Sequence, residues 1–328
     1  MIRNLYKSNR ILFICVAAVV AAATISGMWV LLGWYISPET PTDRKDHVQV
    51  MAVGLGAVGA IITAIIGWRN LKESQRSTET TIQNTREIEQ DRAQNDALEK
   101  YLEQMGHLLT NEGLRSSKEG ADVRILARSQ TLTVLKGLSP DRKQILLRFL
   151  YESHLISGDD TIVSLIGAHL NDVDLYGAHL QGANLSEAKL QEANLNSANL
   201  RTATSLKAKM SRAHLSEARL IGTHLSEADL SEANLGAADL REAILQEANL
   251  NGANLEGANL HKADLREADL ERANLLGANL LGAKLLGANL RGAKLDRADL
   301  RGTRITQKQL DACRSSIGAT MPSGSRYA

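Results

Sequence analysis

The sequence is poor in the residues on which most catalytic and metal sites are built. Its 328 residues include two cysteines, four prolines and 3% aromatic residues. Cys15 and Cys313 cannot supply a disulfide framework, and no cysteines and histidines have the spacing of a zinc site. The 38 lysines and arginines nearly balance the 37 aspartates and glutamates, so no overall charge favours nucleic acid as a partner. We therefore expect no cofactor and no metal.

Proline is also absent from residues 163–305, where one five-residue phrase repeats without an insertion. Every fifth residue from Leu165 to Ile305 is a centre of this phrase, and 26 of the 29 centres are leucine. The exceptions are Ser205, Met210 and Ile305, and the residue two before the centre is alanine in 25 of 29 cases. An internal repeat this regular predicts a repeat architecture.

A period of five residues fits neither a helix nor a flat strand. Five residues turn an α-helix by about 500°, which would scatter the leucines around it, and on a strand they would alternate between faces. A chain that bends at each repeat can keep every leucine and alanine on one inner wall. The period therefore predicts a solenoid whose coils bury a shared core by stacking.

The phrase Ala-Asn/Asp-Leu, as in Ala183-Asn184-Leu185 and Ala268-Asp269-Leu270, resembles the signature of the pentapeptide-repeat family. The resemblance implies an all-β solenoid, a right-handed quadrilateral β-helix with four pentapeptides per coil. On that basis residues 161–305 make about seven coils and a rod roughly 34 Å long. Some soluble members of the family protect DNA gyrase, with an acidic rod that resembles duplex DNA.

Two apolar runs near the N-terminus are long enough to cross a membrane as helices. Ile11–Ile36 and Val48–Trp68 contain no charged residue, and both exceed the length needed for about 30 Å of hydrocarbon. Lysine and arginine are more frequent outside the two runs than in the loop between them, which predicts cytoplasmic termini. We expect residues 1–69 to form a two-helix transmembrane hairpin in a bacterial plasma membrane, with the lipid bilayer as a partner. A cleaved signal peptide is the alternative for the first run.

Within the second run, Gly54, Gly56 and Gly59 match the glycine spacing of a dinucleotide-binding loop. That loop requires a strand before it and a helix after it, inside a βαβ unit. Neither is expected in an apolar span beside a repeat domain. The small residues here favour close helix packing over nucleotide binding.

Three further segments are predicted around the repeats. Residues 70–96 are polar and lack glycine and proline, which indicates a helical stalk. Residues 97–160 contain helical apolar patterns, including a helix that begins at Ser139-Pro140, and are expected to cap the first coil; an independent ligand-binding domain is the alternative. Residues 306–328 are expected to close the last coil with a short helix capped by Thr306.

The polar residues of the repeats give no catalytic constellation. His169 and His179 lie ten residues apart, as do His214 and His224, which puts each pair on opposite sides of a twenty-residue coil. Outward asparagines at 234, 254 and 274 are expected to stack in one column and stabilise it. We expect no catalytic residues and no enzyme activity.

A candidate protein contact is the set Leu276, Leu281 and Leu286, which follow three successive centres where polar residues are usual. A contiguous apolar patch of this kind marks an interface. The alternative is that the C-terminal helix or tail covers these leucines.

The function predicted from the sequence is a membrane-anchored, non-enzymatic scaffold that presents a cytoplasmic repeat rod to an unknown protein partner, with self-association as a further expectation. The alternative is a DNA-mimic-like effector that binds DNA gyrase or another DNA-related protein. Residues 163–310 hold 17 basic and 18 acidic residues, and a near-neutral rod is a poor imitation of DNA.

Overall fold

The computed structural model describes Met28 and residues 41–158 and 161–325. The chain divides into two units, residues 1–89 and residues 90–328. The first apolar run, Ile11–Ile36, lies outside the described residues except for Met28.

The described part of the first unit belongs to one long helix, α1, which spans Pro41–Thr110 and so enters the second unit. The second apolar run and the polar stalk are both parts of α1. Gly54, Gly56 and Gly59 are helical, so the strand–loop–helix context of a nucleotide-binding loop does not exist there. Within the described residues, none of the helices has enough length and apolar character to span a membrane. The predicted transmembrane hairpin is therefore not supported.

Short helices follow α1 in the second unit. A 3-10 turn spans Leu114–Ser116, α2 spans Asp122–Gly137 and α3 spans Pro140–Glu152. Ser139 precedes α3 as expected, but its side chain makes no capping bond. Its hydroxyl instead accepts a bond from Arg142, which also contacts Asp91 and Asn95 of α1. The phenol of Tyr101 on α1 bonds the hydroxyl of Thr131 on α2 at 2.8 Å, so these two buried hydroxyls are paired.

The repeats wind into a solenoid with four pentapeptides per coil. Parallel bridges join the residue before each centre to the residue twenty positions later, from His169↔Lys189 to Asn279↔Asp299. The number of repeats per coil, which the family resemblance implied, is thus observed. The expectation of an all-β rod needs a correction, because each side carries a single bridge residue and not a continuous strand. A turn at every fifth residue leaves no room for a longer strand.

The backbone of each pentapeptide is held by three kinds of hydrogen bond. The centre donates to the next coil, as in Leu185 N to Thr204 O at 2.7 Å. A turn bond closes each corner, as in Ala188 N to Leu185 O at 3.0 Å. The side chain before the centre accepts from the residue after it, as in Asn184 Oδ1 from Ser186 N at 3.2 Å. The last bond favours asparagine or aspartate before the centre, since both carry an acceptor at the right reach, although residues such as His214 and Lys284 also occupy this position.

The side chains of the phrase build the core. The leucine and alanine positions from Ala178 to Leu300 are buried, with accessibilities of 5% or less. The second residue after each centre adopts a positive φ, for example 57° at Glu187, and glycine holds many of these positions. At Gly182 glycine has a further reason, because a β-carbon there would meet the carbonyl of Gly158.

The helices of the second unit join the first coils through the chain that follows α3. Leu155 and Ile156 are fully buried, and Val163 N donates to Leu155 O at 2.7 Å. Gly158 N donates to Gln181 O at 2.9 Å, and Arg128 of α2 reaches Ile166 O at 3.3 Å. These contacts cover the inner wall at the start of the solenoid.

The other end is closed by the helix α4, Gln307–Ala312, and by the tail after it. Thr306 and Gln309 form a reciprocal capping box, which confirms Thr306 as the cap residue. The tail then pairs with the last full coil, through the bridges Lys294↔Ser315 and Asp299↔Thr320. Ile305, the last centre counted in the sequence, is only half-buried, whereas Ala319 of the tail is fully buried.

Candidate protein-contact surface

The three candidate leucines occupy three successive corners of one coil. Each follows a buried centre, and each is followed by a glycine with positive φ: 64° at Gly277, 69° at Gly282 and 75° at Gly287. Because one coil takes twenty residues for four sides, the three leucines point away from different corners. The structure places them on one coil but does not bring them together on one side.

Their exposures differ. Leu286 is 65% exposed, whereas Leu276 and Leu281 are half-buried. The helix α4 lies close to Leu286 without covering it, since Gln309 Nε2 donates to Leu285 O at 2.7 Å and to Ala288 O at 3.0 Å. The contact role of the three leucines stays a prediction, and Leu286 is the member best placed for it.

A charged network lies beside Leu286. Arg266 holds the corresponding corner one coil earlier and donates two bonds to Asp264, at 2.8 and 2.7 Å. Lys284 Nζ and Gln246 Nε2 contact the same carboxylate at 3.2 and 2.9 Å. The Arg266 guanidinium, against the opposing effect of burial, holds the pKa of Asp264 well below its usual range. Two cations contact the Asp264 carboxylate, and the carboxylate of Glu267 lies against Gly287, so both signs of charge are present beside Leu286.

We name Asp264, Arg266, Lys284 and Leu286 the Leu286 corner. The sequence pattern indicated only Leu286 and gave no role to Asp264, Arg266 or Lys284. The signal was present in the spacing: Asp264 and Lys284 are twenty residues apart, and Gln246 is eighteen before Asp264. Reading the sequence in rows of twenty residues would have aligned them. The structure adds that Arg266 is fixed by two bonds, which spacing alone does not show.

The structure also shows a cleft that the sequence did not indicate, at the junction of α3 with the first coils. It has a volume of about 490 Å³ and is lined by Tyr151, Glu152, His154, Ser157, Gly158, His179, Gln181 and Asn199. The rings of Tyr151 and His179 stack with their centroids 6.1 Å apart. His154 has a positive φ of 55°, which turns the chain out of α3. The stacked rings fasten the helical cap to the repeats.

Other groups that could do chemistry lie apart. Across residues 41–158 and 161–325, no three histidine, cysteine, aspartate or glutamate side chains are arranged to hold a metal ion. Burial raises the pKa of the Cys313 thiol to about 11, which disfavours the reactive thiolate at neutral pH. Cys15 lies outside the described residues.

Comparison with known proteins matches the repeat region of the chain. The family model of pentapeptide repeats matches in eight copies, over residues 164–204, 208–246, 233–272 and 263–302. No protein of curated function matches the chain.

Several solved structures are similar to the repeat region. HetL, a pentapeptide repeat protein involved in heterocyst differentiation regulation in the cyanobacterium Nostoc sp. strain PCC 7120, is 33% identical. That match covers 50% of this chain and 87% of HetL, with a TM-score of 0.18. A second Nostoc PCC 7120 protein is 34% identical over 31% of this chain and 84% of its own, with a TM-score of 0.28. QnrB1, a plasmid-mediated fluoroquinolone resistance protein, is 21% identical over 47% of this chain and 77% of its own, with a TM-score of 0.42. The repeat phrase, the twenty-residue coil and the sequence matches together show that this chain belongs to the pentapeptide-repeat family.

Proposed function

We propose that this protein is a non-enzymatic scaffold whose pentapeptide-repeat rod binds a protein partner at the Leu286 corner. The observation that carries the proposal is the exposure of Leu286, 65%, beside an arginine that its own chain already fixes. An arginine held by two bonds loses little side-chain entropy when a partner docks, which favours binding. Arginine beside a desolvated apolar anchor is also a common composition of interface centres.

The charges of the Leu286 corner define the chemistry of the partner. Arg266 and Lys284 share the single carboxylate of Asp264, and both cations keep exposed surface, 44% and 60% of their side chains. A partner segment with an apolar side chain for Leu286 and a carboxylate for Arg266 or Lys284 would fit this surface. Exposed ion pairs contribute little to affinity, so the apolar anchor would supply most of it.

The proposal is tested by crosslinking and co-purification from native membranes, with matched variants. Leu286→Glu removes the anchor, and Ser226→Glu places the same charge at the equivalent corner three coils earlier. We expect one protein to be recovered with the parent and with Ser226→Glu, and to be depleted with Leu286→Glu. Equal recovery with both variants would exclude the Leu286 corner. Recovery of gyrase subunits as the depleted protein would favour the DNA-related alternative, which the near balance of charges in the rod disfavours.

For localisation, we propose attachment to a bacterial plasma membrane with the rod in the cytoplasm. The support is sequence alone: the uncharged runs Ile11–Ile36 and Val48–Trp68 would together return the chain to the side on which Arg3, Lys7 and Arg10 lie. Reporter fusions after Arg76 and after Ala328 should both give a cytoplasmic signal. A periplasmic signal from either fusion, or recovery of the full-length chain in the soluble fraction, would contradict this.

A further inference from the structure

The middle of α1 exposes its side chains throughout. Residues 59–89, all of which the structure describes, include no buried side chain. Trp68, Leu71 and Ile82 are 45%, 59% and 46% exposed. A helix in water takes most of its stability from packing one of its faces, so an uninterrupted helix of this length implies a partner for that face.

The exposed large apolar residues between 68 and 87, Trp68, Leu71 and Ile82, fall on one stripe, whereas Ile62, Ile66 and Ile88 lie off it. We call this stripe the seam: Trp68, Leu71, Gln75, Thr78, Ile82 and Thr85, spaced alternately by three and four residues. That alternation is the pattern of the facing positions of a two-stranded coiled coil. From Trp68 to Ile88 the charged residues all lie off the seam: Arg69, Lys72, Glu73, Arg76, Glu79, Arg86 and Glu87. The seam ends before Glu89, which would be its next position. Charge is thus kept out of the positions that a facing helix would desolvate.

The two threonines of the seam do not prevent its burial. Thr78 Oγ1 donates to Ser74 O at 2.9 Å, and Thr85 Oγ1 donates to Thr81 O at 2.9 Å. Because each hydroxyl proton is already bonded within the helix, a facing helix would leave no unpaired donor there. The methyl group of each threonine remains free to pack.

We infer that α1 pairs with a second copy of this chain as a parallel, in-register two-stranded coiled coil along the seam. In that register each residue of the seam faces its own copy, so the Gln75 amides bond each other and the two Trp68 rings meet at the N-terminal end. A single polar residue at such a position is a known determinant of register and of the two-stranded state. An antiparallel pair centred between Gln75 and Thr78 would set the Gln75 amide against a threonine whose proton is already engaged.

The area available is adequate for a dimer. The stripe continues upstream through Ala64 and Ile61, so it covers 25 residues up to Thr85. About four in every seven residues touch the partner in a coiled coil, and interfaces bury about 30–40 Å² per contacting residue, which gives roughly 1,000 Å² in total. This is the size at which specific association begins.

The inference is tested by disulfide trapping in the full-length chain, with Cys15→Ser and Cys313→Ser as background. Thr85→Cys places a thiol on the seam, and Thr80→Cys places one on the opposite face, where Thr80 makes the same hydroxyl bond to Arg76 O. Under mild oxidation we expect Thr85→Cys to run at twice the chain mass of 35.6 kDa and Thr80→Cys to run as the monomer. In an antiparallel pair residue 85 would lie beside residue 68, about 25 Å from its own copy, and would not crosslink.

A second arm asks whether the seam causes the pairing. Leu71→Glu with Ile82→Glu, added to Thr85→Cys, should abolish the dimer band, whereas Asn70→Glu with Gln83→Glu adds the same charge off the seam and should preserve it. The inference is overturned if Thr85→Cys stays monomeric, if Thr80→Cys crosslinks equally, or if the seam substitutions change nothing. A Thr85→Cys adduct with a different protein would also overturn it, because the occupant would then not be a second copy.

Discussion

At the scale of single residues, an asparagine directly before a core leucine has two roles. Its oxygen accepts the corner N–H of its own repeat, as in Asn254 Oδ1 from Glu256 N at 3.3 Å. Its amide can also donate to the preceding coil: Asn254 donates to Asn234, and Asn274 donates to Asn254, each at 3.0 Å. The column at 234, 254 and 274 expected from the sequence is therefore confirmed. Aspartate performs the first role but has no proton for the second, so an aspartate in a column needs a donor from elsewhere.

Asp264 shows this difference, and it gives a prediction about stability. Its donors are Arg266, Gln246 and Lys284, and they lower its pKa in the folded protein. A lowered pKa contributes stability that is complete above the unfolded value of about 3.9 and is lost as the pH falls below it. We expect Asp264→Asn to reduce the free energy of unfolding at pH 7 by about 1–3 kcal/mol, with a smaller loss at pH 3.

The measurement is denaturant unfolding of the two proteins at both pH values. Asp269→Asn is the matched control, since its oxygen accepts from Glu271 N at 3.0 Å and from Asn289 at 2.9 Å, neither of which requires a charge. Equal losses in the two variants would show that the ionic contacts of Asp264 contribute nothing.

At the scale of one element, we expect the coil of residues 201–220 to be the weakest part of the rod. Ser205 replaces a core leucine, is 1% exposed, and its hydroxyl has no hydrogen-bond partner. The loss of apolar burial relative to leucine is about 1.5–3 kcal/mol, and the unpaired hydroxyl adds to it. The next centre is Met210, a more flexible side chain than leucine.

We therefore expect amide hydrogen exchange to be faster in residues 201–220 than in 221–240. Ser205→Leu should slow exchange in that coil by restoring the regular core, whereas Ser205→Ala, which removes only the hydroxyl, should have a smaller effect. Uniform protection along the parent rod, or faster exchange in Ser205→Leu, would contradict this account.

The helix α4 gives a second prediction at this scale. Gln309 uses its oxygen to accept from Thr306 N and its amide to donate to Leu285 O and Ala288 O. Gln309→Glu keeps the capping acceptor and removes the donor, so Ala288 O loses its bond from Gln309 and Leu285 O keeps only the bond from Ala288 N. We expect the free energy of unfolding to fall by about 1–3 kcal/mol.

Thermal unfolding measures this loss, with Gln307→Glu as the control. That variant adds the same charge to the same helix near Asp311, an exposed pair worth only about 0.2–0.5 kcal/mol. If both variants shift the midpoint equally, the effect is one of charge, and the bonds of Gln309 to the coil are unimportant.

At the scale of the whole molecule, the sequence predicts the solenoid well because the residues that produce the coiling recur in every repeat. The period, the leucine and alanine positions and the asparagine ladder all follow from side chains that recur in register. The ends follow less well, because each is built once. The tail continues the solenoid through Ile317-Gly318-Ala319-Thr320-Met321, a degenerate copy of the phrase that α4 shifts by one residue. A search for an unbroken period stops before it.

The single-copy parts also limit what could be predicted of the candidate surface. The exposure of Leu286 depends on the position of α4, and the repeat pattern does not determine that position. The cleft beside Tyr151 and His179 likewise depends on how α3 meets the first coils. By contrast, Thr306 could be identified as a cap residue because capping is local in sequence.

The paired tail predicts how the rod depends on its end. Leu295, Arg297 and Leu300 donate their N–H groups to residues of the tail, at 2.7–2.9 Å. Removal of residues 306–328 would leave these donors unpaired and open a strand edge to other chains. We expect a loss of roughly 3 kcal/mol or more and concentration-dependent association, measured by thermal unfolding and light scattering. Removal of residues 326–328 alone is the control, and a stable, monodisperse long truncation would disprove the closing role of the tail.

The twenty-residue offset that joins every side of one coil to the next has a consequence for how such a gene can change. An in-frame duplication of the codons for one coil would lengthen the rod by about 4.8 Å and leave each column of side chains aligned above and below. Loss or gain of a single codon would instead move every later leucine off the inner wall. Duplication or deletion of whole coils can therefore change the length of this rod while the side chains at both of its ends stay the same.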